Sequence, residues 1–112
     1  MPQRITKSGP YRLTYIRAWR EFRQLSQDRL VERVREYVDS FSKASLSRIE
    51  RGLQPYTQET LEALAVALQC EPADLIMRDP TNSVWSIMDT LKNLPEEQQH
   101  QIEEIVKTFR AA

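Results

Sequence analysis

Ser26, Ser42 and Thr57 share one local grammar, and it constrains the chain more than any other feature. Each follows an apolar residue (Leu25, Phe41 and Tyr56) and precedes apolar residues at helical spacing. A hydroxyl at such a place can accept from the exposed N–H groups that begin a helix. The apolar residue before it can staple to one in the second turn. Two independent signals agree at all three places, so each is predicted to start a helix.

The remaining apolar pattern extends this reading. Tyr15, Ile16, Trp19 and Phe22 form a stripe, which predicts a first helix over 12–23 with Trp19 and Phe22 in the core. Ser26 opens a second helix over 27–37 that buries Leu30, Val34 and Tyr37. Ser42 opens a third over 43–51, and Gly52 suits the left-handed residue that closes a helix. Thr57 opens a fourth over 58–69, with Leu61, Leu64, Ala65 and Leu68 inward. Pro72 sits well at the first position of a short fifth helix. Leu75 and Ile76 are expected to point inward there, and Pro80 ends it. A sixth helix is expected over 83–92, with Val84, Ile87, Met88 and Leu91 on one face. Pro95 opens a seventh, with Ile102, Ile105, Val106 and Phe109 on a stripe. No strand pattern or internal repeat is visible.

Gly9 and Gly52 are the only glycines in 112 residues. That scarcity argues against a turn-rich sandwich or barrel. It also excludes a glycine-rich phosphate loop, which needs several glycines close together. The expected class is all-α. Residues 1–10 read as a flexible basic arm with Arg4 and Lys7, which either tracks a phosphate backbone or is only disordered. Residues 11–79 read as a five-helix unit and residues 80–112 as a C-terminal helical segment.

The formal charge is zero, from 16 basic and 16 acidic residues. The halves differ. Residues 1–51 hold 12 Lys/Arg and 6 Asp/Glu, a net of +6; residues 52–112 hold 4 and 10, a net of −6. A basic half suggests contact with a polyanion. An ordinary helical surface with an uneven draw of charges is the other reading. With one cysteine, Cys70, and one histidine, His100, an internal disulfide and a Cys/His metal site are both excluded. No metal and no cofactor are expected. A Cys70–His100 catalytic pair is disfavoured, because Cys70 closes an apolar helix and His100 sits in a solvated Glu/Gln run. No acid–base constellation marks an enzyme. No apolar run approaches the ~18 residues of a membrane span. Residues 1–10 lack the apolar core of a signal peptide, so a cytoplasmic location is the default.

Three ordered stretches then resemble one family. Ile16 to Gln27 (Ile-Arg-Ala-Trp-Arg-Glu-Phe-Arg-Gln-Leu-Ser-Gln) is similar to the first helix and turn of the phage Cro/repressor-like helix-turn-helix proteins, the XRE family. Ser42 to Gly52 (Ser-Lys-Ala-Ser-Leu-Ser-Arg-Ile-Glu-Arg-Gly) continues the likeness, and Thr60 to Leu68 resumes it. The resemblance implies a five-helix lambda-repressor-like DNA-binding domain, with two amphipathic helices following it. The third helix would enter the major groove of double-stranded DNA. By position, Ser42, Lys43, Ala44 and Arg48 become the base-reading set, beside Ser47 on the same open face. Arg51 would hold a phosphate. Gln27 would meet a phosphate and brace the third helix. Arg20 and Glu50 would pair as a partly buried ion pair. That pair would fix the third helix to the scaffold more than it stabilises the fold.

One departure stands out. Gln27 to Glu50 spans 23 positions, several more than the family pattern, and the extra residues fall within Arg35 to Ser40. Either the second helix gains a turn or the connection becomes a loop. Arg33 and Arg35 could reach phosphates, but with Glu32 and Glu36 they read more simply as a solvated face with weak ion pairs.

The C-terminal stripes must bury against something. Self-association through Val84, Ile87, Met88, Leu91, Ile102, Ile105, Val106 and Phe109 is the expected answer. Folding back onto the same chain and docking another protein stay open. The overall expectation is a homodimeric, sequence-specific transcriptional regulator on an inverted repeat. The resemblance implies a repressor that occludes its promoter. Two alternatives are kept. One is an antitoxin whose C-terminal helices bind a toxin. The other is a helical adaptor that has lost DNA binding.

Overall fold

The computed structural model describes residues 9–111, so Arg4 and Lys7 lie outside the described residues. Within them the chain forms seven helices and no strand. They are α1 (Ile16–Phe22), α2 (Gln27–Val34), α3 (Lys43–Glu50), α4 (Gln58–Leu68), α5 (Pro72–Met77), α6 (Ser83–Lys92) and α7 (Glu96–Ala111). They divide into two units, one through Thr81 with α1–α5 and one from Asn82 with α6 and α7.

The three hydroxyls act as caps. Ser26, Ser42 and Thr57 accept from the backbone N–H of Arg29, Ser45 and Thr60, each at 3.1 Å. Helix ends are also built alike. Gly52 adopts φ 75° after α3. There Gly52 N–H donates to Ile49 O, and Leu53 N–H to Arg48 O. This is the paired closure that satisfies the last carbonyls of a helix. Gln24 (φ 59°) closes α1 and Gln69 (φ 58°) closes α4 through the same two bonds. Glutamine thus fills two places where glycine is the usual choice.

The first unit's core centres on α4, which packs against α1, α2 and α5, while α2 also packs against α3. Ile16, Leu30, Val34, Leu46, Leu64, Leu68 and Leu75 are fully buried. Each such side chain contributes about 1.5–3 kcal/mol by leaving water. Trp19 joins them, and its Nε1 donates to Asp74 O and Arg78 O, tying α1 to α5.

Several expectations are corrected. The first helix begins at Ile16 rather than residue 12, because Tyr15 N–H donates across the unit to Leu75 O at 2.7 Å. That bond holds the preceding residues out of helical register. Phe22 is exposed, not core. Three residues on from Trp19, it lies roughly 60° further round the helix. It packs edge-on against the Trp19 ring at 5.8 Å with the Arg23 guanidinium over it. Ile76 is exposed because six-residue α5 turns only Leu75 fully inward. The second helix stops at Val34 rather than 37, so Tyr37 is exposed and Phe41 takes the inward place. The extra residues before α3 therefore form a loop. Arg35 Nε donates to Phe41 O at 2.7 Å and draws that loop closed.

Tyr11 N–H donates to Gly52 O at 3.0 Å. A Cβ on Gly9 would stand 2.2 Å from the same oxygen, so only glycine fits there.

In the second unit, Asn82 caps α6 by accepting from Val84 N–H, and Gln99 closes the α6–α7 turn by donating to Leu94 O. α6 has no buried residue. Val84, Ile87, Met88, Ile102, Ile105, Val106 and Phe109 are all exposed, and Leu91 is half-buried. No helix among the described residues is long and apolar enough to cross a membrane.

Candidate nucleic-acid interface

α3 has two unlike faces, and its sequence explains both. Leu46 and Ile49, three positions apart, lie buried against the first unit. Lys43, Ala44, Arg48 and Arg51 are exposed, and Ser42 and Ser47 are half-buried beside them. An eight-residue helix with one apolar row buries that row and leaves the rest open. The open face carries only short polar or small side chains and long cationic ones.

The orientation of α3 is set by a charged clamp. Arg20 on α1 donates from Nε to Glu50 Oε2 at 2.8 Å and from Nη2 to Glu50 Oε1 at 3.1 Å. Its Nη1 donates to Leu25 O. The Arg20 and Glu50 side chains are 13% and 3% exposed. Their hydrogen bonding raises the Arg20 pKa, against the burial that lowers it. Such a two-point bond fixes angle as well as distance. Gln27, the first residue of α2, adds a third point by donating from Nε2 to Glu50 Oε1 at 3.0 Å. Glu50 thus gathers α1, α2 and α3 at one carboxylate.

The candidate contact residues are engaged to different degrees. Ser42 spends its hydroxyl oxygen as an acceptor on the α3 cap. Lys43 pairs with Asp28 at 3.4 Å, both being well exposed. An exposed pair of that kind is worth little and is easily exchanged for a phosphate. Arg51 Nε donates to Ser47 O within its own helix. Arg48 Nε donates to Gln54 Oε1 at 2.7 Å. Gln54 was not singled out from the sequence. Its only signal is a polar residue two places beyond the glycine that turns the chain back.

The basic half has a second use that composition concealed. Arg23 donates to Leu68 O and Gln69 O, the terminal carbonyls of α4, at 2.8 and 3.0 Å. Arg33 donates to Ala67 O at 3.4 Å. A cation at a helix C-terminus meets both orphan carbonyls and the negative end of the dipole. Arg33 and Arg35 are exposed, as expected of a solvated face, but each donates to a main-chain oxygen. Arg29 makes the exposed pair with Glu32 instead, at 3.7 Å.

Cys70 is half-buried at the end of α4. Burial, with Asp74 beside it, pushes its thiol up to about 11. It is therefore neutral near pH 7 and poorly suited to nucleophilic attack. His100 is exposed on α7. No group of three or more His, Cys, Asp or Glu among the described residues could hold a metal ion.

The family described as a helix-turn-helix domain matches residues 14–76, which run from just before α1 into α5. No curated protein and no solved structure matches the chain.

Proposed function

The chain belongs to the helix-turn-helix domain family, and on that premise we propose that it is a sequence-specific, homodimeric regulator of transcription. α3 is the recognition helix. Lys43, Ala44 and Arg48, with Ser42 and Ser47 beside them, face the base edges. Arg51 takes a phosphate. Gln27 lies at the start of α2, where a backbone N–H can meet the phosphate backbone while its amide braces Glu50.

The observation that carries this reading is the pairing of an open face with a fixed helix. Base readout needs side chains presented at a constant angle to the groove. The Arg20–Glu50–Gln27 cluster supports that angle, and the exposed residues opposite Leu46 and Ile49 support the presentation. The exposed apolar stripes of α6 and α7 support a second copy as their cover. A twofold dimer would then read an inverted repeat. Regulation follows from occupying promoter DNA, which favours repression.

The test is selection of bound fragments from genomic DNA, followed by salt titration of the recovered sites. An inverted repeat that outlasts random DNA as salt rises is the expected result. Affinity that falls equally for all sequences would reduce the interaction to charge alone and overturn the proposal.

A further inference from the structure

Arg48 is held from outside its own helix. Its Nε donates to Gln54 Oε1 at 2.7 Å, and Gln54 Nε2 donates to Ser45 Oγ at 3.4 Å. The two bonds orient the amide, with oxygen toward the arginine and nitrogen toward α3. Gln54 reaches this place because Gly52 takes φ 75° and turns the chain back. Leu53 N–H then seals the turn on Arg48 O at 2.8 Å. Gln54 is half-buried, whereas Arg48 is exposed.

A guanidinium carries five N–H donors in one plane. With Nε committed to Gln54, the edge left to face outward is the one formed by Nη1 and Nη2. That edge is a two-donor fork, and guanine presents a matching pair of acceptors, O6 and N7, in the major groove. An arginine already held in one arrangement also loses less rotamer freedom on binding.

We propose that Gln54 is a positioning residue that commits Arg48 to reading guanine through its Nη1 and Nη2 atoms. The inference rests on α3 being the base-reading helix. Gln54 itself touches no base. It works by deciding which edge of Arg48 the groove meets.

The experiment uses the full chain and a duplex site obtained by selection. Each guanine in the site is replaced in turn by 7-deazaguanine, which lacks the N7 acceptor. The unmodified chain should show a guanine whose replacement weakens binding roughly five- to tenfold. Arg48→Ala should abolish that sensitivity. Gln54→Ala should reduce it by about threefold or more, because Arg48 must then lose its rotamer freedom on binding. Its affinity for random DNA, its salt slope and its melting temperature should stay unchanged. Gln54→Glu keeps an acceptor for Nε and should restore the sensitivity, with weaker binding to all sequences from the added charge. If Gln54→Ala keeps the full guanine sensitivity that Arg48→Ala loses, Arg48 reads alone and the inference is overturned. If the unmodified chain shows no base-sensitive position, the recognition-helix reading fails and this inference with it.

Discussion

Arg20 donates to a carboxylate of the protein, and Arg23, Arg33 and Arg35 donate to main-chain oxygens, the last two while exposed. A count of basic residues cannot tell such arginines from those that meet a polyanion, because both carry the same charge. Arg48 and Arg51 remain on the open face of α3. At this scale Glu50 matters most for the scaffold. Glu50→Ala would strand a largely buried guanidinium. It should lower stability by about 3 kcal/mol, the low end for breaking a buried pair, since Arg20 keeps some exposure. Urea unfolding with an unchanged m-value would check it, and a loss under about 1 kcal/mol would show that water replaces the carboxylate. Cys70 yields a pH prediction. Its pKa rises from 9.0 to about 11 on folding, so the folded state favours the neutral thiol. That stabilising contribution is complete below pH 9 and is lost as the pH climbs through about 11. At pH 8, iodoacetamide should modify native Cys70 more than about tenfold slower than the urea-unfolded chain. Equal rates would show that the thiol is solvated in the folded state.

Among the elements, the hydroxyl-capped helix starts are legible in the sequence, while the start of α1 and the end of α2 are not. A cap is a bond between residues three apart, as from Ser42 to Ser45, so both partners stand in one short stretch. Gly52 announced its own left-handed turn. Gln24 and Gln69 did not, because glutamine adopts that conformation only where tertiary packing stops the helix there. Both residues are exposed and bear a left-handed backbone. Gln24→Gly should therefore stabilise the chain by about 0.5–1 kcal/mol. Thermal unfolding of the variant checks this, and a fall in melting temperature would mean that the Gln24 side chain contributes more than its backbone costs. The lengthened connection before α3 could have been helix or loop. It is a loop because Phe41 and Val38, not Tyr37, pack against the core.

At the level of the molecule, the chain divides into two units. The first presents α3. The second exposes apolar stripes whose cover is proposed to be another copy. Phe109 is 79% exposed, so Phe109→Asp should leave melting of the first unit unchanged. It should shift sedimentation from dimer to monomer and lower affinity for an inverted repeat by about tenfold or more, as loss of a second linked half-site implies. A variant that stays dimeric would remove α7 from the interface. The sequence alone determined the helical class, the hydroxyl caps, the Gly52 turn, most core residues and the resemblance that located α3. Those features rest on neighbours within a turn or two, or on apolar spacing along one helix. Tertiary structure alone decided where α1 starts and α2 stops, that Phe22 and Ile76 face solvent, and which arginines are spent on the scaffold. It also decided that Gln54 meets Arg48. The Tyr15 bond that delays α1 reaches Leu75, and Arg23 finds its carbonyl 45 residues away. A chain read in one dimension places such partners nowhere near each other, and only packing brings a donor to the carbonyl it will hold.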